Sequence, residues 1–160
     1  MSISFYGNEL INIAIDIERR GIAFYEVMAK STRNALARDV FHYLIGLEQK
    51  HVQIFQDMLS EANKYEIPQI YAAEYAAYLE ALVNNAVFTD DLATSELAIE
   101  AESSIKALEL GIAAEKDSIL FYYGMKDMMP RRMQPTLNKI IAEEKLHLRQ
   151  LSELKKKLAE

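Results

Sequence analysis

Hydrophobic residues recur every three or four positions along most of the chain, which is the spacing of an amphipathic α-helix. Four long segments have this period and are predicted as helices: residues 8–33, 35–65, a segment that ends near residue 129, and residues 135–160. Asn34 separates the first two segments, while Pro130 and Pro135 bracket the turn between the last two. Because both turns are short, each pair of helices is predicted to form an antiparallel hairpin.

The segment between the two hairpins, residues 66–104, has a different pattern. Pro68 ends the second predicted helix, a shorter helix follows, and Asp90 and Asp91 are typical of the start of another helix. A connection of this length lets the third long helix lie parallel to the second. We therefore predict an all-α fold with one domain over residues 1–160: a four-helix bundle of two antiparallel hairpins with a long crossover between helices two and three. Three tyrosines are expected to pack the crossover against the bundle or a second subunit: Tyr71, Tyr75 and Tyr78.

The composition narrows the class of protein further. With 5 Gly and 3 Pro and a hydrophobic content of 51%, the chain is neither a turn-rich β-sandwich nor disordered. A formal net charge of -6 argues against nucleic-acid binding, and the lack of Cys excludes a disulfide scaffold, a thiol nucleophile and a Cys-ligated zinc site. No long apolar run predicts a membrane span, and the N-terminus lacks the basic region of a signal peptide. We therefore expect a cytoplasmic protein with no membrane partner.

The two hairpins resemble each other at an offset of 96 or 97 residues. The first helix of each hairpin has a glutamate followed six and seven residues later by Phe and Tyr, and the second helix has a glutamate followed three residues later by His. This pattern indicates a duplicated helical hairpin. The first copy supplies Glu18, Tyr25, Glu48 and His51, and the second supplies Glu115, Tyr122, Glu144 and His147.

Each of these four glutamates lies within the apolar stripe of its helix; Glu18, for example, falls between Ile15 and Ile22. Buried carboxylates are costly without a partner, so the glutamates are exposed, or protonated, or accompanied by a cation. The balance of charge favours the cation, because two divalent metal ions match four carboxylates and neutral His adds no charge. Glu-x-x-His also places both side chains on one face of a helix.

A glutamate from each of two helices, together with Glu-x-x-His from the other two, is the ligand set of di-iron and di-manganese helical bundles. Two copies in register make this pattern specific. We therefore predict that six residues hold two metal ions: Glu18, Glu48, His51, Glu115, Glu144 and His147.

Side chains beside the glutamates leave alternatives open. Gly21 and Ser118, three residues after the first glutamate of each hairpin, either leave room beside the metals for dioxygen or peroxide or allow close helix packing. Tyr25 and Tyr122 either hydrogen-bond to ligands or carry redox equivalents, or they are core aromatics with satisfied hydroxyls, and we favour the last interpretation.

Two further titratable residues are expected to lie outside the site. His42 lies off the helix face that carries Glu48, so it is interpreted as an ordinary, partly exposed His. Glu143 is adjacent to Glu144 but points off the apolar stripe, so we expect it to be solvated.

With these motifs, the chain resembles the rubrerythrin-like branch of the ferritin-like di-iron proteins over nearly its whole length. The resemblance implies a ferritin-like four-helix bundle around two metals, usually iron, that react with peroxide or dioxygen. It also implies the part that each residue plays: Glu18 and Glu115 as terminal ligands, Glu48 and Glu144 as bridging ligands, and His51 and His147 each completing one metal.

Some positions depart from the patterns of that superfamily. Ser118 stands where typical rubrerythrins have an additional glutamate, and their Cys-rich rubredoxin domain has no counterpart here. Gln49 stands where bacterioferritins have the Met that binds haem, so no haem is expected. Because the chain ends at Glu160, soon after His147, we expect a small homo-oligomer such as a dimer rather than a storage cage.

The expected function is therefore that of an oxidoreductase active against oxidative stress. It would reduce peroxide or dioxygen at two metal ions, expected to be iron with manganese or mixed occupancy left open, using electrons from a separate donor protein. Two alternatives remain open. The protein is a ferroxidase or iron-handling protein if Fe(II) is itself the substrate, or a non-catalytic helical bundle that the metal stabilises.

Overall fold

The computed structural model describes residues 7–62, 73–101 and 103–160, and these residues form helices joined by short connections, with no strand among them. The elements in chain order are α1 (Gly7–Ser31), α2 (Ala35–Ala62), α3 (Ala73–Asn84), α4 (Asp91–Glu100), α5 (Ser104–Met128), a short 3₁₀ helix (Arg131–Met133) and α6 (Gln134–Ala159). The prediction of an all-α fold is confirmed. The predicted helix stop at Pro68, and Tyr65 and Tyr71 on either side of it, lie outside the described residues.

The two predicted hairpins are α1 with α2 and α5 with α6, and the helices of each pair pack along each other. Between α1 and α2, the Asn34 side chain accepts a hydrogen bond of 2.9 Å from the Ala37 amide, which satisfies one of the free donors at the start of α2. Between α5 and α6, Pro135 lies in the first turn of α6, where a missing amide hydrogen has no cost. Local sequence therefore determines where each hairpin turns.

The crossover contains two short helices that cover the bundle. Asp90 begins α4 by accepting a hydrogen bond of 2.6 Å from the Ala93 amide, and α4 packs against α1. The helix α3 packs against α5, where the Tyr75 hydroxyl donates to the Gly124 carbonyl at 3.1 Å and to Asp127 at 3.0 Å. The prediction that Tyr75 packs the crossover against the bundle is confirmed, whereas Tyr78 is exposed.

Two apolar clusters fill the core, and every long helix contributes to both of them. On α1 the N-terminal half lies in the first cluster and the C-terminal half in the second, and α6 runs in the same direction. The helices α2 and α5 run the opposite way, from the second cluster to the first. The helix α5 is therefore parallel to α2, as the long crossover predicted. Within the described residues, no helix combines the length and apolar content needed to cross a membrane.

Candidate metal centre

All six predicted ligands lie together between the two apolar clusters, at the middle of the bundle. Their placement follows from the helical spacing, because on each long helix the glutamate separates residues of one cluster from residues of the other. Each of the six is at most 3% exposed. The contributions are Glu18 from α1, Glu48 and His51 from α2, Glu115 from α5, and Glu144 and His147 from α6.

The cluster consists of two overlapping groups of four residues, and within each group the candidate ligand atoms lie within 4.8 Å of one another. Glu48 and Glu144 belong to both groups, which is the position expected of bridging carboxylates. The rings of the two histidines stack on each other with centroids 5.6 Å apart. One group is Glu18, Glu48, His51 and Glu144, and the other is Glu48, Glu115, Glu144 and His147.

Both histidine rings direct Nδ1 towards the shared carboxylates. The His51 Nδ1 lies 2.7 Å from Glu144 Oε1, and the His147 Nδ1 lies 3.1 Å from Glu48 Oε1. These close contacts lack the alignment of hydrogen bonds, so both Nδ1 atoms, Glu48 Oε2 and Glu144 Oε1 are buried with no hydrogen-bond partner. Buried polar atoms without partners are rare in proteins. These oxygen and nitrogen atoms, which could each bind a metal ion, point to the same place between the helices. Four carboxylates with two imidazoles suit two divalent cations, so the residues fit two metal ions.

Burial and charge divide the four carboxyl groups into two kinds. Burial, and then repulsion from Glu48 and Glu144, raises the pKa of Glu18 well above its usual value. Burial, and then repulsion from the same two carboxylates, raises the pKa of Glu115 in the same way. Burial also opposes ionisation of Glu48, but its close contacts with Glu18 and with the two imidazoles outweigh burial and lower the pKa of Glu48. Burial and repulsion from Glu48 oppose ionisation of Glu144 too, but its contacts with Glu115 and the histidines lower its pKa. The shared carboxylates therefore carry the negative charge of the site.

The histidines respond to that negative charge. Burial alone would lower the pKa of His147, but the neighbouring carboxylates of Glu144 and Glu48 outweigh it and raise that pKa to about 9. Burial opposes ionisation of His51 as well, and the carboxylates of Glu144 and Glu18 raise its pKa further. The site therefore attracts positive charge, as protons or as metal cations.

Two buried phenols connect the outer carboxyl groups across the bundle. The Tyr25 hydroxyl on α1 donates to Glu115 Oε1 on α5 at 2.6 Å, and the Tyr122 hydroxyl on α5 donates to Glu18 Oε1 on α1. Burial raises the pKa of both phenols, so they remain donors. Both tyrosines are core aromatics with satisfied hydroxyls, and the partners of these hydroxyls are predicted ligands, so the alternative of hydrogen bonds to ligands, which we did not favour, is present in the structure. The sequence did not predict which glutamate each hydroxyl binds.

A narrow cavity of about 40 Å³ reaches the four carboxyl groups from between α1 and α5. Gly21 and Ser118 line it, and a Cβ added at Gly21 would meet nothing within 4 Å. At Gly21, therefore, the small residue leaves room beside the site and does not serve close helix packing. Asp117 also lines the cavity and accepts a hydrogen bond of 2.8 Å from the Val87 amide, which holds the connection between α3 and α4.

The comparison with known proteins agrees with this site. The family model for Rubrerythrin matches residues 9–155. The chain belongs to the rubrerythrin family. A crystal structure from Thermotoga maritima, of a protein described as a candidate ferritin-like diiron-carboxylate protein, is similar with a TM-score of 0.75 and 29% sequence identity, over 96% of each chain. No curated protein matches this sequence significantly. The predicted resemblance and the ferritin-like four-helix fold are therefore confirmed.

One residue of this rubrerythrin-family site was predicted wrongly. Glu143 was expected to be solvated, yet its Oε2 lies 2.7 Å from His51 Nε2 and its side chain is 34% exposed. The ring of His51 therefore has one nitrogen in the site and the other bound to Glu143. The signal in the sequence was the glutamate directly before Glu144, because a ligating imidazole needs an acceptor for its second nitrogen. His42 is exposed and lies outside the site, as predicted.

Proposed function

We propose that this chain is a di-iron oxidoreductase that reduces peroxide or dioxygen with electrons from a separate donor protein. Membership of the rubrerythrin family and the similarity to a ferritin-like diiron-carboxylate protein support this function. The observation that carries it is the pair of overlapping carboxylate and histidine groups, whose four carboxyl groups line a small cavity.

In this proposal Glu18 and His51 hold one metal, Glu115 and His147 hold the other, and Glu48 and Glu144 are shared. Carboxylate and imidazole ligands suit iron, although manganese accepts the same donors. A bound pair of iron ions would supply the two electrons that reduction of peroxide to two water molecules, or of dioxygen to peroxide, requires.

The protein's own residues select the substrate and hold protons near it. The cavity of about 40 Å³ has room for molecules of about the size of water, so it suits small substrates such as peroxide and dioxygen. Reduction of peroxide to two water molecules consumes two protons with the two electrons. The hydroxyls of Tyr25 and Tyr122 donate hydrogen bonds to the carboxyl oxygens of Glu115 and Glu18, which keeps these carboxyl groups oriented and places O–H groups within the buried site.

A second candidate function is that of a ferroxidase, with Fe(II) as the substrate. The lining of the cavity supports it, because a cation would meet the carboxylates of the buried glutamates and of Asp117 there, with Arg20 as the basic residue among the lining residues. The two functions differ in what is consumed during turnover. An oxidoreductase consumes the reductant while its metal content stays constant, whereas a ferroxidase consumes free Fe(II).

The test is steady-state turnover of iron-loaded protein with peroxide and a reductant, with no free iron added. Many turnovers per chain at constant iron content support the proposed function. Oxidation of added Fe(II) without turnover of the reductant identifies the ferroxidase instead. If neither reaction exceeds that of free iron, both functions are wrong and the protein is a non-catalytic bundle. His42→Ala is a matched control, because His42 is exposed and outside the site, and it should behave as the wild type.

A further inference from the structure

The internal repeat is broken at one position beside the site. Glu143 precedes Glu144 on α6, whereas Leu47 precedes Glu48 at the matching position of α2. The two candidate metal groups therefore contain the same types of ligand, but the residue that precedes the shared glutamate is charged on α6 and apolar on α2.

This difference reaches the histidines. His51 Nε2 lies 2.7 Å from Glu143 Oε2, and because a carboxylate only accepts, the ring nitrogen donates. His147 Nε2 is also buried, but it has no hydrogen-bond partner among the described residues. One imidazole is therefore anchored on its outer side and the other is not.

An anchored imidazole is a better ligand for two reasons. A hydrogen bond from Nε2–H to a carboxylate leaves the lone pair on Nδ1, which faces the site, and it also makes that nitrogen more basic. An imidazole that binds a metal through Nδ1 must carry its hydrogen on Nε2. For His147 this N–H would be buried without an acceptor, which is unfavourable.

We propose that Glu143 is a positioning residue that makes the two metal positions unequal: the position completed by His51 holds its ion more tightly than the position completed by His147. This inference rests on the proposed binding of two metal ions. It goes beyond that function, because nothing in the shared ligand set distinguishes the two positions.

The test uses Co(II), whose binding to the full chain is followed by visible absorption and calorimetry. We expect the wild type to bind two ions with different affinities. Glu143→Leu should weaken the tighter position by about 10- to 100-fold, the usual loss when such an outer partner is removed, and leave the other position unchanged. Glu143→Gln, which keeps the shape and one acceptor oxygen, should restore part of the loss. If Glu143→Leu fails to fold, the affinities of Glu143→Gln provide the test instead.

The control variant is Glu153→Leu on the same helix, which removes an exposed carboxylate paired with Arg149 at 3.5 Å. It should leave both affinities unchanged. A second readout is the paramagnetically shifted N–H proton of each ligating histidine in the NMR spectrum of the Co(II) protein. Glu143→Leu should shift one of these two signals, which a role in stability alone would not do.

Two results would overturn the inference: equal affinities in the wild type, or two affinities and two N–H signals that do not change in Glu143→Leu. Either result leaves the proposed metal binding intact. A wild type that binds no Co(II), Fe(II) or Mn(II) would instead contradict the proposed function itself.

Discussion

Four buried carboxyl groups are tolerated in this core because each has polar partners. Glu18 and Glu115 accept hydrogen bonds from the phenols of Tyr122 and Tyr25. The shared carboxylates of Glu48 and Glu144 lie against the two imidazoles. The ring nitrogens that face these carboxylates nevertheless have no hydrogen-bond partner. Hydrogen bonds alone do not satisfy the site, and metal ions would complete it.

Removing a shared ligand should affect metal binding more than removing an outer one. Glu144 belongs to both candidate groups and Glu115 to one. We therefore expect Glu144→Ala to lose tight binding at both positions and Glu115→Ala to lose it at one. Metals per chain after loading and desalting, counted by mass spectrometry, measure this, with His42→Ala as the control. A Glu115→Ala variant that still binds two ions tightly would defeat the ligand assignment.

Metal binding should release protons. The raised pKa values of Glu18, Glu115, His51 and His147 mean that binding displaces as many as four protons, one from each residue. Affinity should therefore increase as the pH rises. Above the pKa of His147, about 9, the histidine has already lost its proton, so the number released falls by one.

Calorimetry in buffers of different ionisation enthalpy counts these protons. The slope of the logarithm of the affinity against pH, between about pH 6 and about pH 8, is an independent measurement and must give the same number of released protons. An affinity that does not change over this range would show that the site is already deprotonated.

At the residue scale, the spacing of the sequence predicted the six residues that the structure brings together, because a helical period of 3.6 residues fixes which side chains share a face. It did not predict the contact of Glu143 with His51, nor which glutamate each tyrosine hydroxyl binds. Glu143 contacts His51 on a different helix, and Tyr25 reaches Glu115 across the bundle. Such pairs depend on the relative height and rotation of two helices, which no local pattern contains.

At the scale of elements, the helices α1 and α5 form the walls of the cavity, and their small residues control its width. Gly21 lies on α1 with free space where a side chain would begin. Gly111 on α5 has the opposite role, because an added Cβ would lie 3.3 Å from Leu151 and 3.4 Å from the Tyr25 ring. One glycine leaves access to the site, and the other makes room for a phenol that binds a carboxyl group.

Two substitutions at Gly21 should have separate effects, one on the stability of the fold and one on the access of peroxide to the site. Gly21→Ala should raise the free energy of unfolding by about 0.5–1 kcal/mol, since glycine destabilises a helix interior by that amount. Gly21→Leu should slow the reaction with peroxide by obstructing the cavity. Urea unfolding and peroxide turnover measure the two effects.

Gly46 on α2 is the matched control, because an added Cβ there would also meet nothing within 4 Å and Gly46 does not line the cavity. Equal slowing by Gly46→Leu would show that the cavity is not the route.

The crossover shows what can be predicted about elements. The helix start at Asp90 was predicted because an aspartate cap is a local feature. Which long helix each short helix contacts, α1 for α4 and α5 for α3, was not predicted, because these partners lie outside the local sequence pattern of the short helices. Their positions follow from the bundle that they cover.

At the scale of the whole molecule, the duplicated hairpin explains why the site lies at the centre. Each long helix crosses from one apolar cluster to the other, and its glutamate lies where the clusters meet. The site therefore has nearly equivalent halves, and Glu143 makes them differ. Iron as the metal, the dimer, the single domain over residues 1–160 and the cytoplasmic location remain predictions.

The central claim is that the six buried residues hold two metal ions, and it is tested most directly by counting metals. The protein is loaded with Fe(II) without oxygen, desalted and analysed by mass spectrometry under conditions that preserve bound ions. We expect about two ions per chain, the number that this ligand set holds in helical bundles. Essentially no bound iron, with manganese and zinc also failing to bind, would show that the buried glutamates are structural and would contradict the account.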